Sequence, residues 1–185
     1  VGRTVLKVLE EKSFENCTYT LFASSKSAGE KIQFLGKNYI VCELKENSFD
    51  SGFDYAIFCA GGKVSKEFIP IAVKKGCIVI DNSSTYRMDD EVPLVIPEVN
   101  PEDIYKNNGI IANPNCSTIQ AVVALKPLYD KYGIKRIVYS TYQAVSGAGR
   151  YGIEDLENGD KNLPLKKFPY PIYNNCIPQI DDFTD

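Results

Sequence analysis

The stretch DYAIFCAGGKVSKEFIPIAVKKGCIVIDNSS, residues 54–84, decides the fold. DYAIFCA is a buried-strand pattern that stops at Gly61-Gly62, SKEFIPIAVKKG is helix-like and closes at Gly76, and CIVID is a second short apolar run with polar residues after it. Short apolar strands that end in Gly, Ser or Asn and alternate with helices describe β-α-β units. Such units build a mainly parallel sheet with its ligand crevice at the strand C-termini.

The flanking residues extend this pattern on both sides. Val5, Leu6 and Leu9 share a helical face at the start of the chain, and no strand precedes them. CTYTLFA (17–23) reads as a strand followed by the turn SSKSAGEK, and KIQFL and NYIVCEL read as two strands hinged at Gly36-Lys37. Three strand ends, Ala23-Ser24-Ser25, Ala60-Gly61-Gly62 and Asp81-Asn82-Ser83, point to one crevice, and a dinucleotide is the expected ligand. Beyond Cys116 the pattern changes to a helix through about Tyr132, a strand IKRIVYSTYQAV (134–145) and the glycine-rich SGAGRYG. The expected fold is therefore α/β, a Rossmann-like doubly wound parallel sheet over residues 1–115, and the start of an α+β domain over 116–185. No internal repeat or low-complexity segment interrupts it.

With 44% hydrophobic and 24% charged residues in 185, the composition is that of a globular chain and excludes a disordered or collagen-like one. A net charge of -3 and scattered lysines give no electrostatic footprint for nucleic acid. No apolar stretch approaches a membrane span, so no membrane partner is expected. The six cysteines (17, 42, 59, 77, 116 and 176) form no CxxC pair and lack the density of a disulfide scaffold. Reduced thiols in a cytoplasm are expected, with no metal site.

One cysteine stands apart. Cys42, Cys59 and Cys77 sit in apolar strand-like runs and read as structural, whereas Cys116 in NPNCST (113–118) has polar neighbours and opens a helix with Asn115 as a good N-cap. Open N–H groups and the positive end of a helix dipole favour a thiolate and stabilise a developing oxyanion, which is nucleophile chemistry. Gln143, near a strand end, has an amide that suits a substrate carbonyl or carboxylate, although on spacing alone a surface glutamine is the better reading. SGAG (146–149) allows close backbone approach to a flat ring or phosphate, but glycine-rich turns are common and usually only turn the chain. Arg87 suits an anion clamp, with a salt bridge to Asp89 or Asp90 as its rival.

Taken in order, FASSKSAG, FCAGG, IDNSSTYRMDDEVPLVIPEVN, ANPNCSTIQ and STYQAVSGAG resemble the aspartate-β-semialdehyde dehydrogenases, and the resemblance runs from Val1 to Asp185. It implies NADPH-dependent reduction of β-aspartyl phosphate to aspartate semialdehyde and phosphate, on the route to lysine, threonine, methionine and diaminopimelate. It implies Cys116 as the thiolate that forms a thioester, Gln143 as a catalytic residue that positions the substrate, Arg87 as the phosphate-binding arginine and Asn113 in the same pocket. It places Ser146 and Gly147 at the nicotinamide and Ser24, Lys26 and Ser27 at the 2′-phosphate of NADP, with Gly2, Gly61 and Asn82 also on the cofactor side. A homodimer or homotetramer is implied for the full-length protein.

Measured against that family, Val1-Gly2-Arg3 corresponds to the last two residues of its glycine-rich loop and the first of its helix, and the family's first strand would come earlier. The family's substrate-carboxylate arginine and catalytic histidine would come after Asp185. A fragment of the enzyme, inactive alone, is the resulting expectation. Lys26, where many members carry arginine, weakens the NADP over NAD preference, because lysine neutralises a phosphate without forking or stacking on it. Two other readings stand beside this one: a nucleotide-binding module without catalysis, and a thiol-dependent hydrolase, for which the chain offers no histidine partner.

Overall fold

Residues 54–84 fold as a parallel β-α-β unit. The structure, a computed structural model, describes residues 1–12, 14, 16–159, 161 and 163–179. The chain divides into two compact units, Val1–Ile137 and Val138–Asp185.

In the first unit, β5 (Tyr55–Phe58) pairs in parallel with β6 (Ile78–Asp81), and β6 pairs in parallel with β7 (Ile110–Ala112). Between β5 and β6 runs α2 (Gly62–Lys74), whose Ser65, Ile69 and Ala72 are buried at the i, i+4, i+7 spacing of a single face. That face packs on Val79, Phe58, Phe49 and Cys77, which form the core cluster. The helix ends where the sequence says it should. Gly76 takes φ +85°, its N–H donates to Val73 O at 2.9 Å, and Cys77 N donates to Ala72 O at 3.1 Å. These two bonds are a Schellman cap, which needs a left-handed residue at the Gly76 position.

Ahead of this unit, α1 (Gly2–Glu11) is an amphipathic helix with no buried residue, consistent with the face of Val5, Leu6 and Leu9. β2 (Lys31–Phe34) and β3 (Lys37–Ile40) form an antiparallel hairpin. Its two-residue turn is Leu35-Gly36, at φ +48° and +69°, so the hinge falls one residue before the position expected from sequence. Glu10 helps to hold it, because its Oε1 accepts from Leu35 N at 2.5 Å. β1 (Phe22–Ala23) pairs in parallel with β4 (Cys42–Glu43).

Four further expectations change. NYIVCEL is not one strand: it divides at Val41 between β3 and β4, which belong to different sheets. Only Phe22 and Ala23 of CTYTLFA are in a strand, because β4, the partner strand, is itself two residues long. Cys42 is exposed instead of structural: Val41 takes the buried position, 3% exposed, and the alternation of an extended chain turns its neighbour outward. The segment 134–144 is irregular instead of a strand. Its β-branched and aromatic residues suit a pleated surface, but a strand needs a ladder partner, and among the described residues none pairs with it. Val138 and Tyr142 stay 76% and 89% exposed.

The helix expected from Cys116 to Tyr132 is α3, over those same bounds. In the second unit a 3-10 turn, Val145–Ala148, leads into α4 (Arg150–Asn158). Among the described residues no helix is long and apolar enough to cross a membrane.

Candidate active site

The register Phe58↔Asp81↔Ala112 aligns the C-terminal ends of β5, β6 and β7, so the loops that follow the strands, glycine-rich after β5 and polar after β6 and β7, emerge along one edge. A short network ties them together. Asn113 Nδ2 donates to Asn82 Oδ1 at 2.6 Å, Asn82 Nδ2 donates to Phe58 O at 3.2 Å, and Asn113 N donates to Asp81 O at 2.8 Å. Across it lies the half-buried Arg87, whose Nε reaches Asn113 O at 2.9 Å and whose Nη2 reaches Asn82 O at 3.1 Å. The salt bridge to Asp89 or Asp90 is not formed among the described residues. Two carbonyls use part of the fork and orient it, which leaves the remaining N–H groups available to an anion.

Cys116 is the first residue of α3, three positions past Asn113, and is exposed. Asn115 caps the helix as expected. Its Oδ1 accepts from Ser117 N at 3.0 Å and from Ser117 Oγ at 2.5 Å. Substituting Asn115→Ala is expected to cost about 1 kcal/mol, read as a lower denaturation midpoint at unchanged slope. Of the thiols near the core, Cys59 lies 3.4 Å from Asn82 Nδ2 and burial pushes it up, and burial does the same to Cys77. Both therefore resist ionisation and fit a structural role.

The candidate cofactor residues occupy turns and helix ends. Gly61 caps α2 at φ +90°, and a Cβ there would meet nothing within 4 Å. Gly2 opens α1, equally open around its Cα. Ser24, Lys26 and Ser27 lie in the turn after β1, where Ser27 N donates to Ser24 O at 3.0 Å. Exposed Ser146 and Gly147 sit in the 3-10 turn of the second unit, and exposed Gln143 lies in the irregular segment before it.

Two features escaped the sequence reading. The first is Asp81, fully buried at the end of β6, whose carboxylate accepts from Ser65 Oγ, Ser83 N and Ser83 Oγ at 2.8, 3.0 and 2.7 Å. The polar triplet after an apolar strand, DNS, was its only local signal. The second is Asp155 in α4, 1% exposed, which accepts from the backbone N–H groups of Lys166, Lys167 and Phe168 at 2.8, 2.8 and 3.0 Å. It anchors that segment beside Gly152, where a Cβ would meet Ala148 Cβ at 2.8 Å. No local pattern marks this contact, because its donors lie 11 to 13 residues away.

Burial by itself would push the Asp155 carboxyl up, but the N–H donors of Phe168, Lys166 and Lys167, with the Lys166 charge, outweigh it and hold the group below its ordinary 3.8. A carboxyl depressed on folding stabilises the fold above its unfolded value and loses that contribution as pH falls through the folded value. The amide NMR shifts of residues 166–168 are therefore expected to titrate together with a midpoint below 3.8. A midpoint at or above that value would show that the clamp does not favour the charged form.

Comparison with known proteins places the chain in a family. Residues 1–107 match the family model "Semialdehyde dehydrogenase, NAD binding domain", and residues 125–185 match "Semialdehyde dehydrogenase, dimerisation domain". The aspartate-semialdehyde dehydrogenase of Aquifex aeolicus is 58% identical over 195 residues, spanning 100% of this chain and 57% of that protein. The crystal structure of aspartate semialdehyde dehydrogenase II from Vibrio cholerae complexed with ASA superposes with a TM-score of 0.90 at 47% identity, covering 100% of this chain and 57% of that one. The Candida albicans enzyme with NADP gives a TM-score of 0.59 at 28% identity, over 72% of this chain and 44% of that one. The chain thus spans about 57% of the length of the relatives it matches over its whole extent. The two family models together cover most of its length, and the chain belongs to the semialdehyde dehydrogenase family.

Proposed function

We propose that the whole protein reduces β-aspartyl phosphate with NADPH to aspartate semialdehyde and phosphate, in amino-acid biosynthesis leading to lysine, threonine, methionine and diaminopimelate. The observation that carries this is the Arg87 guanidinium, held by the carbonyls of Asn82 and of Asn113, the latter three residues ahead of Cys116. It supports an anion-binding cation beside a nucleophile.

In this reading the Cys116 sulfur attacks the acyl carbon of the substrate. A C–S bond forms, the C–O bond to phosphate breaks, and the leaving phosphate is received by Arg87 and Asn113. The family resemblance assigns Gln143 to orienting the acyl group. The N–H groups at the start of α3 face the charge that develops on the carbonyl oxygen. The chain contains no histidine, so no imidazole among these residues takes the thiol proton.

The residues assigned to the cofactor fit a dinucleotide by their chemistry. Gly61 and Gly147 leave open space where a side chain would stand, and one ammonium between two hydroxyls, Lys26 with Ser24 and Ser27, suits a phosphate. Gly2, Gly61 and Asn82 would line the phosphate and ribose side, and Ser146 and Gly147 the nicotinamide. NADPH, when bound, supplies the hydride that reduces the thioester.

The domain boundary is set at 115/116, giving an NAD(P)-binding domain over 1–115 and the start of the catalytic and dimerisation domain over 116–185. The two family matches, ending at 107 and beginning at 125, bracket it. A homodimer or homotetramer in a reducing cytoplasm fits the dimerisation-domain match and the six free thiols.

The test is the reverse reaction of the whole protein, followed as NADP reduction at 340 nm with aspartate semialdehyde. The expected result is a rate that requires added phosphate. Oxidation without phosphate dependence would replace an acyl phosphate with a hydrolysed product and overturn the proposal.

A further inference from the structure

Asp81 is a carboxylate with no exposed surface, and no described lysine or arginine pairs with it. Taking a carboxylate out of water is costly unless every lone pair finds a donor. Here three donors come from two directions: Ser65 in the first turn of α2, and the backbone and hydroxyl of Ser83 in the loop that follows β6. The placement follows from strand alternation. Val79 and Asp81 share the buried face of β6, which looks onto α2, so Ser65 is the donor that Asp81 meets there.

The network continues along the loop. Ser83 Oγ accepts from Thr85 N at 3.1 Å, and Thr85 Oγ1 donates to Gly62 O at 3.1 Å. A Cβ on Gly62 would come within 3.1 Å of Thr85 Oγ1, so the helix and the loop are in close contact. Two residues later the loop delivers Arg87. The main chain of Asp81 meanwhile holds the other end of that arginine's grip, since its carbonyl accepts from Asn113 N at 2.8 Å. One residue therefore ties down both the loop that carries Arg87 and the strand end against which Arg87 is stretched.

We infer that Asp81 is a positioning residue: its side chain, locked to Ser65 and Ser83, sets the Arg87 fork at the anion site beside Cys116. This rests on the assignment of Arg87 to the substrate phosphate. Hydrophobic burial alone does not require a carboxylate here. A directional acceptor for three donors does.

The experiment compares two alkylating agents on Cys116 in the whole protein, anionic iodoacetate and neutral iodoacetamide, with labelling read by peptide mass spectrometry. Their rate ratio cancels changes in thiol exposure or ionisation and reports whether the anionic reagent meets a cation on its approach to the sulfur. Replacing Arg87 (Arg87→Ala) should lower the ratio about fivefold, the effect of one unit charge at ~4 Å in a water-like medium. Asp81→Asn, which cannot accept all three bonds, should lower it nearly as far while the iodoacetamide rate changes little. Ser65→Ala removes a single donor and should lower it by less, and it decides the matter if Asp81→Asn shows no cooperative thermal transition. A wild-type ratio in the folded Asp81 and Ser65 variants, with Arg87→Ala lowered, would overturn the role of Asp81 alone. An unchanged ratio in Arg87→Ala would remove the assignment of Arg87, and the role of Asp81 with it.

Discussion

Cys116→Ser in the whole protein is expected to lower phosphate-dependent NADP reduction with aspartate semialdehyde by at least ~10³-fold, because a nucleophile that acts with its partners as a unit carries most of the chemical step. The serine hydroxyl ionises far less readily than a thiol, and an ester is a poorer hydride acceptor than a thioester. Folding should be unaffected, since Cys116 is exposed at the opening of α3 and the cap from Asn115 to Ser117 does not involve its side chain. Initial rates and a thermal melt on the same preparation check both halves. Activity within about tenfold of wild type would mean that the thioester is not on the path.

Arg87→Ala should raise the phosphate KM by roughly 10- to 100-fold, the equivalent of about 1.5–3 kcal/mol for hydrogen bonds to a charged group. The same change frees the carbonyls of Asn113 and Asn82, which Nε and Nη2 now bridge at 2.9 and 3.1 Å. Arg87→Lys separates the two roles. It keeps the charge but loses the planar fork, so it should recover part of the phosphate affinity without restoring the bridge. The measurement is initial rate against phosphate concentration at saturating aspartate semialdehyde. A phosphate KM that stays within twofold of wild type in both variants would take Arg87 out of the anion site.

How much of this was legible from sequence depends on how local the cause is. The β-α-β unit from Tyr55 to Asp81 was readable because apolar period, helix period and the Gly76 stop all lie within one stretch of chain. The start of α3 was readable for the same reason: an N-cap acts over two residues, Asn115 to Ser117. Segment 134–144 misled, because β-propensity records what suits a sheet and not whether a partner strand is present. Cys42 misled because an apolar-looking run does not say which of its alternating faces is inward, and Val41 took that face.

Among the site residues, Cys116, Arg87 and Asn113 could be singled out by residue type, neighbours and resemblance. Their mutual arrangement could not. Asn113 and Asn82 are 31 residues apart in the chain and meet because parallel pairing sets β6 beside β7 with Asp81 opposite Ala112. Asp81 and Ser65, 16 residues apart, meet because α2 returns over the sheet and presents its buried face to Val79 and Asp81.

By itself, the sequence determined the α/β class, the helix at Cys116 and the family, because periodicity, caps and motif residues are properties of short segments. Only the tertiary structure decided that Arg87 rests on two backbone carbonyls instead of an aspartate, that Asp81 locks the loop carrying it, and that Asp155 clamps residues 166–168. Those outcomes depend on which buried polar groups meet once the strands are in register. A group removed from water bonds to the donor or acceptor that packing brings within reach, and sequence distance does not specify which one that is.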